Sequence, residues 1–380
     1  MNKSSKTFLC LFIFVAMFSS LVVAEEKSND ELTEAIQMMK NSIIFSGAIE
    51  LDYGYAGDSD TGDDTINDST SDLDVGTVEL GAEIALHEYA TGSVVFKAEG
   101  LDADDHVFCD EAVIDIRKEG FAPYLTLGKR GLPFGVFESH LITDPLTQDL
   151  YEIADTGMTV GFTPGVSGLD ISLTVYKGEA LMTHMLEGAY GLDRTYLDAA
   201  AVLPAWRTGG MSASYMETDE VSSFIGHMTL EPMEGMTLGV FYNSEPGDGQ
   251  RNNTLGGMFH FEISRLTLDT EYITAVQRET DSADNLEHKE SALSGAVAFQ
   301  FVDKLEAALR YEVFDDDISG DQDGHLEDRY SLGLNYTLIE KDHFATGLSF
   351  EYRQSSYEKA AASTTDDNLN EFFARMGLEF

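Results

Sequence analysis

Positive charge is scarce in this chain. Its 380 residues hold 23 Lys and Arg against 68 Asp and Glu, a formal net charge of −45. Such a charge repels phosphate and excludes an unaided nucleic-acid binder. Cysteine is nearly absent: Cys10 lies in an apolar N-terminal run, which leaves Cys109 alone. One cysteine makes neither an internal disulfide nor half of a CxxC metal or redox site. No interior stretch approaches the roughly 20 consecutive apolar residues of a membrane-spanning helix. Catalytic signatures are missing too. There is no GxSxG, HExxH or phosphate loop, Ser139 and His140 are adjacent rather than arranged as a triad, and nine His lack ligand spacing. The chain is therefore expected to be no enzyme and to carry no cofactor or metal.

What the chain has is glycine and aromatics, with 34 Gly, 23 Phe and 16 Tyr against 7 Pro and 1 Trp, and a period of two. Ile43, Phe45, Gly47, Ile49, Leu51, Tyr53 and Tyr55 share one face, and Ser46, Ala48, Glu50 and Asp52 the other. This alternation is that of a strand with one apolar and one polar face. It returns at Val78–Leu86, Leu169–Val175, Leu305–Val313 and Tyr330–Leu338. We count about eighteen such segments, starting near Ser42, Leu73, Gly92, Asp110, Ala122, Thr156, Gly168, Arg194, Gly209, Val221, Gly235, Asn252, Arg265, Ser291, Leu305, Arg329, His343 and Asn370. Long connections alternate with tight ones. A soluble sandwich has no reason to sort its connections by parity, whereas an outer-membrane barrel has short periplasmic turns and longer external loops. The expected fold is all-β, a transmembrane antiparallel β-barrel of about 18 strands. Sixteen is the other count, because Thr218-Asp219-Glu220 is short where a long loop is due.

Both ends fit that architecture. Lys3 and Lys6, the apolar run Phe8–Phe18 and the short residues Val22-Val23-Ala24 form a secretory signal peptide over residues 1–24. Residues 25–41 carry Leu32, Ile36 and Met39 at helical spacing, with Ile43 beyond them, and are expected to form a short periplasmic amphipathic helix. The barrel then occupies residues 42–380. Phe372, Ala374, Met376, Leu378 and Phe380 make an apolar stripe whose terminal Phe380 resembles the assembly signal of outer-membrane proteins. The expected location is the bacterial outer membrane, and the expected partners are its lipid and lipopolysaccharide and the barrel-assembly machinery. The pattern leaves room for a homotrimer.

If the apolar stripes face lipid, the alternate residues face the lumen. Lys97, Glu99, Asp115, Arg117, Arg310, Glu312, Arg353 and Arg375 are the charges expected there, together with Asp269, Glu271, Glu306 and Glu351. Glycines such as Gly161, Gly239, Gly256 and Gly333 fall on the same faces and are expected to keep the lumen open. Acids outnumber bases, so cation preference is expected of an open channel.

One stretch is more than pattern. Thr126-Leu127-Gly128-Lys129-Arg130-Gly131-Leu132-Pro133-Phe134-Gly135 precedes Glu138-Ser139-His140 and Asp144-Pro145-Leu146-Thr147. It resembles the outer-membrane siderophore porin family of the legiobactin-uptake type and, more distantly, phosphate-selective porins. The resemblance implies passive or facilitated entry of a ferric siderophore or similar small solute through a water-filled channel. The alternatives are a general or anion-selective porin and a surface-structural or adhesin barrel.

The same stretch opens loop 131–155. Its apolar members, Phe134 among them, are too many for a loop left in water. The loop is expected to fold into the pore and form its constriction with Lys129, Arg130, Phe134, Glu138, His140 and Asp144.

Overall fold

The computed structural model describes residues 42–58, 69–100, 107–165, 168–187, 220–247, 249–280, 287–315, 317, 326–341, 343–357 and 368–380. The expected signal peptide, the expected amphipathic helix and most of the acidic loops lie outside the described residues.

Sixteen strands form one closed antiparallel barrel. They are β1 (Ile43–Asp58), β2 (Thr70–His87), β3 (Ala90–Glu99), β4 (Phe108–Arg117), β5 (Pro123–Gly131), β6 (Ala154–Phe162), β7 (Asp170–Tyr176) and β8 (Ser223–Met233). The second half is β9 (Met236–Glu245), β10 (Asn252–Ile263), β11 (Leu266–Gln277), β12 (Ser291–Val302), β13 (Leu305–Asp315), β14 (Leu326–Lys341), β15 (Phe344–Tyr357) and β16 (Asn368–Glu379). Each strand pairs with its neighbours in sequence. The seam is β1 on β16, where Leu51 faces Met376 and Tyr53 faces Ala374. Closure leaves no edge, as a lipid environment requires, because unpaired backbone groups cannot be hydrated there.

The strand count is the lower of the two expected. Strands near Arg194 and Gly209 were expected, and those positions lie outside the described residues. The barrel does not need them, since β7 pairs directly with β8, Asp170 opposite Thr229 and Tyr176 opposite Ser223. With sixteen strands the parity of the connections becomes regular. Five of the seven connections after even-numbered strands are two residues long, as at Glu234-Gly235, where Gly235 adopts φ +77°. The residue pair Thr218-Asp219 then belongs to a single connection, 177–222, which is longer than 131–155.

The period of two appears as a division of faces. On β13, Leu309 is 61% exposed while Arg310 is 2% exposed. Leu332, Leu334, Phe350, Tyr352, Met158 and Val160 are likewise exposed on the outer surface. Outward apolar side chains in a closed barrel suit hydrocarbon, not water. No helix among the described residues is long and apolar enough to cross a membrane, so the crossing elements are the strands.

Among the described residues two short helices lie in connections of the barrel, where only strands were expected. They are α1 (Leu146–Tyr151), between β5 and β6, and α2 (Ala180–Glu187), after β7. Their apolar sides meet in a core that includes Phe134, Leu146, Leu150, Tyr151, Ile153, Leu181, Met185, Ile225, Phe241 and Ile273. These residues come from two connections and from inward positions of β8, β9 and β11. The same core takes in Tyr176 of β7, Met258 of β10, Ala292 of β12, Phe314 of β13, Leu326 of β14, Tyr357 of β15 and Leu369 of β16, so every strand from β7 to β16 contributes to it.

Candidate functional site

The segment between β5 and β6 is shaped by its first residues. Leu132 N–H donates to Ile153 O at 2.7 Å and closes the neck of the loop. Phe134 N–H reaches back to Leu132 O at 2.7 Å, a tight turn with Pro133 at its centre. Gly135 follows with φ +88°, and a Cβ there would stand 2.2 Å from the Phe137 ring. Only glycine fits both demands. The turn sends Phe134 into the core, fully buried and edge-on to Phe241 at 5.1 Å between ring centroids. Phe134 is thus an anchor rather than a solute-facing group.

Beyond the anchor, loop donors meet a row of carboxylates on the polar faces of distant strands. Val136 N–H donates to Glu271 Oε1 of β11 at 2.8 Å. His140 stands between Asp269 of β11, at 2.9 Å from Nε2, and Glu306 of β13, at 3.3 Å from Nδ1. Thr143 gives its N–H and its hydroxyl to Glu351 of β15, at 2.8 and 2.7 Å. Leu146 N–H donates to Glu312 of β13 at 2.5 Å. Asn335 of β14 donates to His140 O at 2.8 Å. The hydrogen bonds of His140, to Asp269 first and Glu306 second, push its imidazole up from its usual value to about 9. At neutral pH it is an imidazolium that donates from both nitrogens.

Arg310 supplies the only guanidinium among these contacts to residues 139–144. It donates to Ser139 Oγ (3.2 Å), Thr143 O (2.8 Å), Thr143 Oγ1 (2.9 Å) and Asp144 O (2.9 Å). Its Nε lies 3.0 Å from Glu312 Oε2. Leu141 enters a slot above Gly333 of β14, where a Cβ would stand 2.2 Å from Leu141 Cδ2. Gly333 makes room for the loop, and Gly256 does the same for the Phe241 ring. The glycines were expected to keep the lumen open; here they admit inward side chains.

A second connection joins the first. Glu245 of β9 is fully buried and accepts the N–H groups of Leu181 (2.8 Å) and Met182 (3.2 Å) at the start of α2. Tyr176 donates to the same carboxylate at 2.7 Å. His184 of α2 bonds Asp149 O of α1 at 3.0 Å, and Arg329 of β14 lies 3.3 Å from the Asp149 carboxylate.

The interior also holds a cavity of about 540 Å³. Ile142 and Asp144 of the loop line it on one side, and Glu50, Glu79, Lys97, Glu99 and Arg375 on the wall of β1–β3 and β16. Its two cations are engaged: Lys97 pairs with Glu99 at 2.5 Å, and Arg375 with Asp52 at 2.8 Å and Glu50 at 3.2 Å. The cavity lining is therefore net acidic.

The other expected residues are spread around the wall. Arg130 donates to Thr159 Oγ1 at 3.0 Å. Asp115 accepts from Thr126 at 2.6 Å, and Arg117 lies over the Tyr124 ring at 4.1 Å. Arg353 pairs with Glu371 at 2.7 Å. Glu138 is exposed beside Val136 and Phe137. Lys129 stands apart from the constriction set. It is in register with Ala112 and Thr156, on the face of the exposed Ile114 and Met158, and its Nζ donates to Cys109 O at 2.6 Å. Sequence reasoning passed over Arg329 and Glu245, both fully buried. Phe380 pairs with Gly47 through both backbone groups at 3.0 Å. No group of three or more His, Cys, Asp and Glu placed to hold a metal ion occurs among the described residues.

No protein-family model and no curated protein sequence matches the chain. Solved structures do. The anion-selective porin from Comamonas acidovorans aligns at TM-score 0.54 and 10% identity, over 89% of this chain and 98% of that one. Salmonella typhi OmpF, in complex with daunomycin, aligns at 0.57 and 12%, over 89% and 97%. Pseudomonas putida OprB aligns at 0.56 and 9%, over 90% and 95%. The fold is that of the sixteen-stranded porins of the bacterial outer membrane.

Proposed function

We propose that this chain is a general-solute porin in which residues 132–153 form the constriction. The observation that carries this is the row of loop contacts to Glu271, Asp269, Glu306, Glu312 and Glu351 on inward strand faces. On this reading they hold the loop across the lumen, and solute passes through the cavity between Asp144 and the wall at Glu50, Glu79 and Arg375. Small hydrophilic solutes suit that passage. Because its lining is net acidic, cations are favoured over anions. Ile142 and Asp144 are the loop residues that line it, and Lys97, Glu99 and Arg375 are their counterparts on the wall. His140 acts as a clamp on Asp269 and Glu306, and Glu138 lies outside this lining.

Ferric-siderophore uptake is the narrower reading. It rests on the resemblance of Thr126–Gly135 and the residues that follow. Deleting Gly135–Leu146 and recording single channels in planar bilayers tests the constriction. Conductance is expected to rise. An unchanged conductance in a correctly assembled deletion variant would refute it, and a barrel that never conducts would point to a surface-structural role. Liposome swelling with a ferric siderophore and with sugars of similar size separates the two cargo readings.

A further inference from the structure

Arg310 looks at first like one more lumen charge. Its surroundings give it another part. The guanidinium is nearly fully buried, so it has little surface to offer a solute. Four of its contacts go to residues 139–144, two of them to backbone carbonyls. Those carbonyls belong to Asp144, which lines the cavity, and to Thr143, which stands between the two lining residues Ile142 and Asp144. Thr143 is gripped from both sides, its hydroxyl accepting from Arg310 and donating to Glu351. Glu312 holds the guanidinium from below and takes Leu146 N–H with its other oxygen.

We infer that Arg310 is a positioning residue: through Thr143 and Asp144 it sets the aperture of the passage, and it does not act as a charge seen by the solute. The inference rests on the constriction proposed above. The guanidinium is suited to this because its planar fork can serve Thr143 O, Thr143 Oγ1 and Asp144 O together, whereas a lysine ammonium is a single point of charge on a flexible stem. A lysine at this position keeps Glu312 opposite a cation but cannot span the turn.

Arg310→Lys therefore separates position from charge, and the barrel remains able to fold because Glu312 stays paired. Thr143→Val removes the shared hydroxyl from the loop side and leaves every barrel charge in place. Both variants and the Gly135–Leu146 deletion are reconstituted after heat-modifiable migration shows that they are folded. Three quantities are read: single-channel conductance, the largest sugar admitted in liposome swelling, and the reversal potential in asymmetric KCl. We expect Arg310→Lys and Thr143→Val to shift conductance and sugar cut-off toward those of the deletion, with the reversal potential of Arg310→Lys unchanged. Wild-type conductance and cut-off in Arg310→Lys, beside a deletion that conducts more, would overturn the positioning role and leave the constriction standing. A reversal potential that moves in Arg310→Lys while conductance does not would also overturn it. A deletion that conducts like wild type would remove the constriction and this inference with it.

Discussion

Leu309 and Arg310 are neighbours on one strand and should fail for opposite reasons. Leu309 faces lipid, so Leu309→Arg places a charge in hydrocarbon at a cost of roughly 2–4 kcal/mol near the midplane. At tenfold for about every 1.4 kcal/mol, that is roughly a 30- to 700-fold loss in the folding equilibrium. Alternation alone expects Arg310→Leu to be harmless, since a lumen position tolerates change. The structure reverses that expectation. Arg310 lies 3.0 Å from Glu312, whose side chain is fully buried. Without Arg310 the buried carboxylate keeps only the more distant Arg329, 3.9 Å away, and a buried charge deprived of its close partner costs up to about 3–5 kcal/mol. The two defects differ in their remedy. Glu312→Gln removes the stranded charge yet keeps an oxygen for Leu146 N–H, so it should restore most of the stability of Arg310→Leu. It should do nothing for Leu309→Arg. The assay is folding into lipid vesicles across a urea series, scored by heat-modifiable migration, with Leu309→Ala as the control for lost side-chain volume. If Leu309→Arg matches Leu309→Ala, the outer face is misassigned. If Glu312→Gln fails to rescue Arg310→Leu, the buried charge is not the cause.

Three further outcomes are expected. The His140 imidazole is raised to about 9, so its hold on the loop is complete below the ordinary histidine range and lost as pH climbs through about 9. Conductance should rise over that interval in wild type and stay flat in His140→Gln, and a flat wild-type curve would contradict the clamp. Gly333→Val should push Leu141 out of its slot, changing conductance and open-channel noise. Leu141→Ala in the same chain should restore both, and a silent Gly333→Val would show that the slot is not occupied. Finally, the reversal potential in asymmetric KCl should indicate cation preference, weakened in Asp144→Asn. Clear anion preference would count against the acidic lining as the selecting field.

The barrel was legible in the sequence because lipid and water impose opposite demands on alternate residues. Leu309 and Arg310 display that contrast side by side. Periodicity does not say how many alternating segments join one ladder. The segments near Arg194 and Gly209 matched the pattern, and the β7–β8 pairing shows that the barrel closes without them. Alternation also misleads where the local motif dominates attention. Lys129 and Arg130 were grouped together, yet a one-residue step places them on opposite faces. The helices α1 and α2 were not legible. They are only 6 and 8 residues long, and α2 is capped by Glu245, far along the chain. The apolar content of loop 131–155 is the local signal behind the expectation that it folds inward. Which carboxylates receive it depends on the register of strands more than a hundred residues away, and no local signal encodes that.

The loop contacts also constrain the order of assembly. Val136 and Glu271 are 135 residues apart in the chain, and Thr143 and Glu351 are 208 apart. A loop made between the fifth and sixth strands therefore has no place to dock until the eleventh to fifteenth have paired. Contacts of such separation are late and slow, because much chain entropy is lost before they form. Once β16 seals against β1, the loop is enclosed by the wall to which it is bonded. Maturation thus has two closures, one of the sheet and one of the loop within it. A barrel could complete the first without the second and insert in the membrane as a wider, leakier pore.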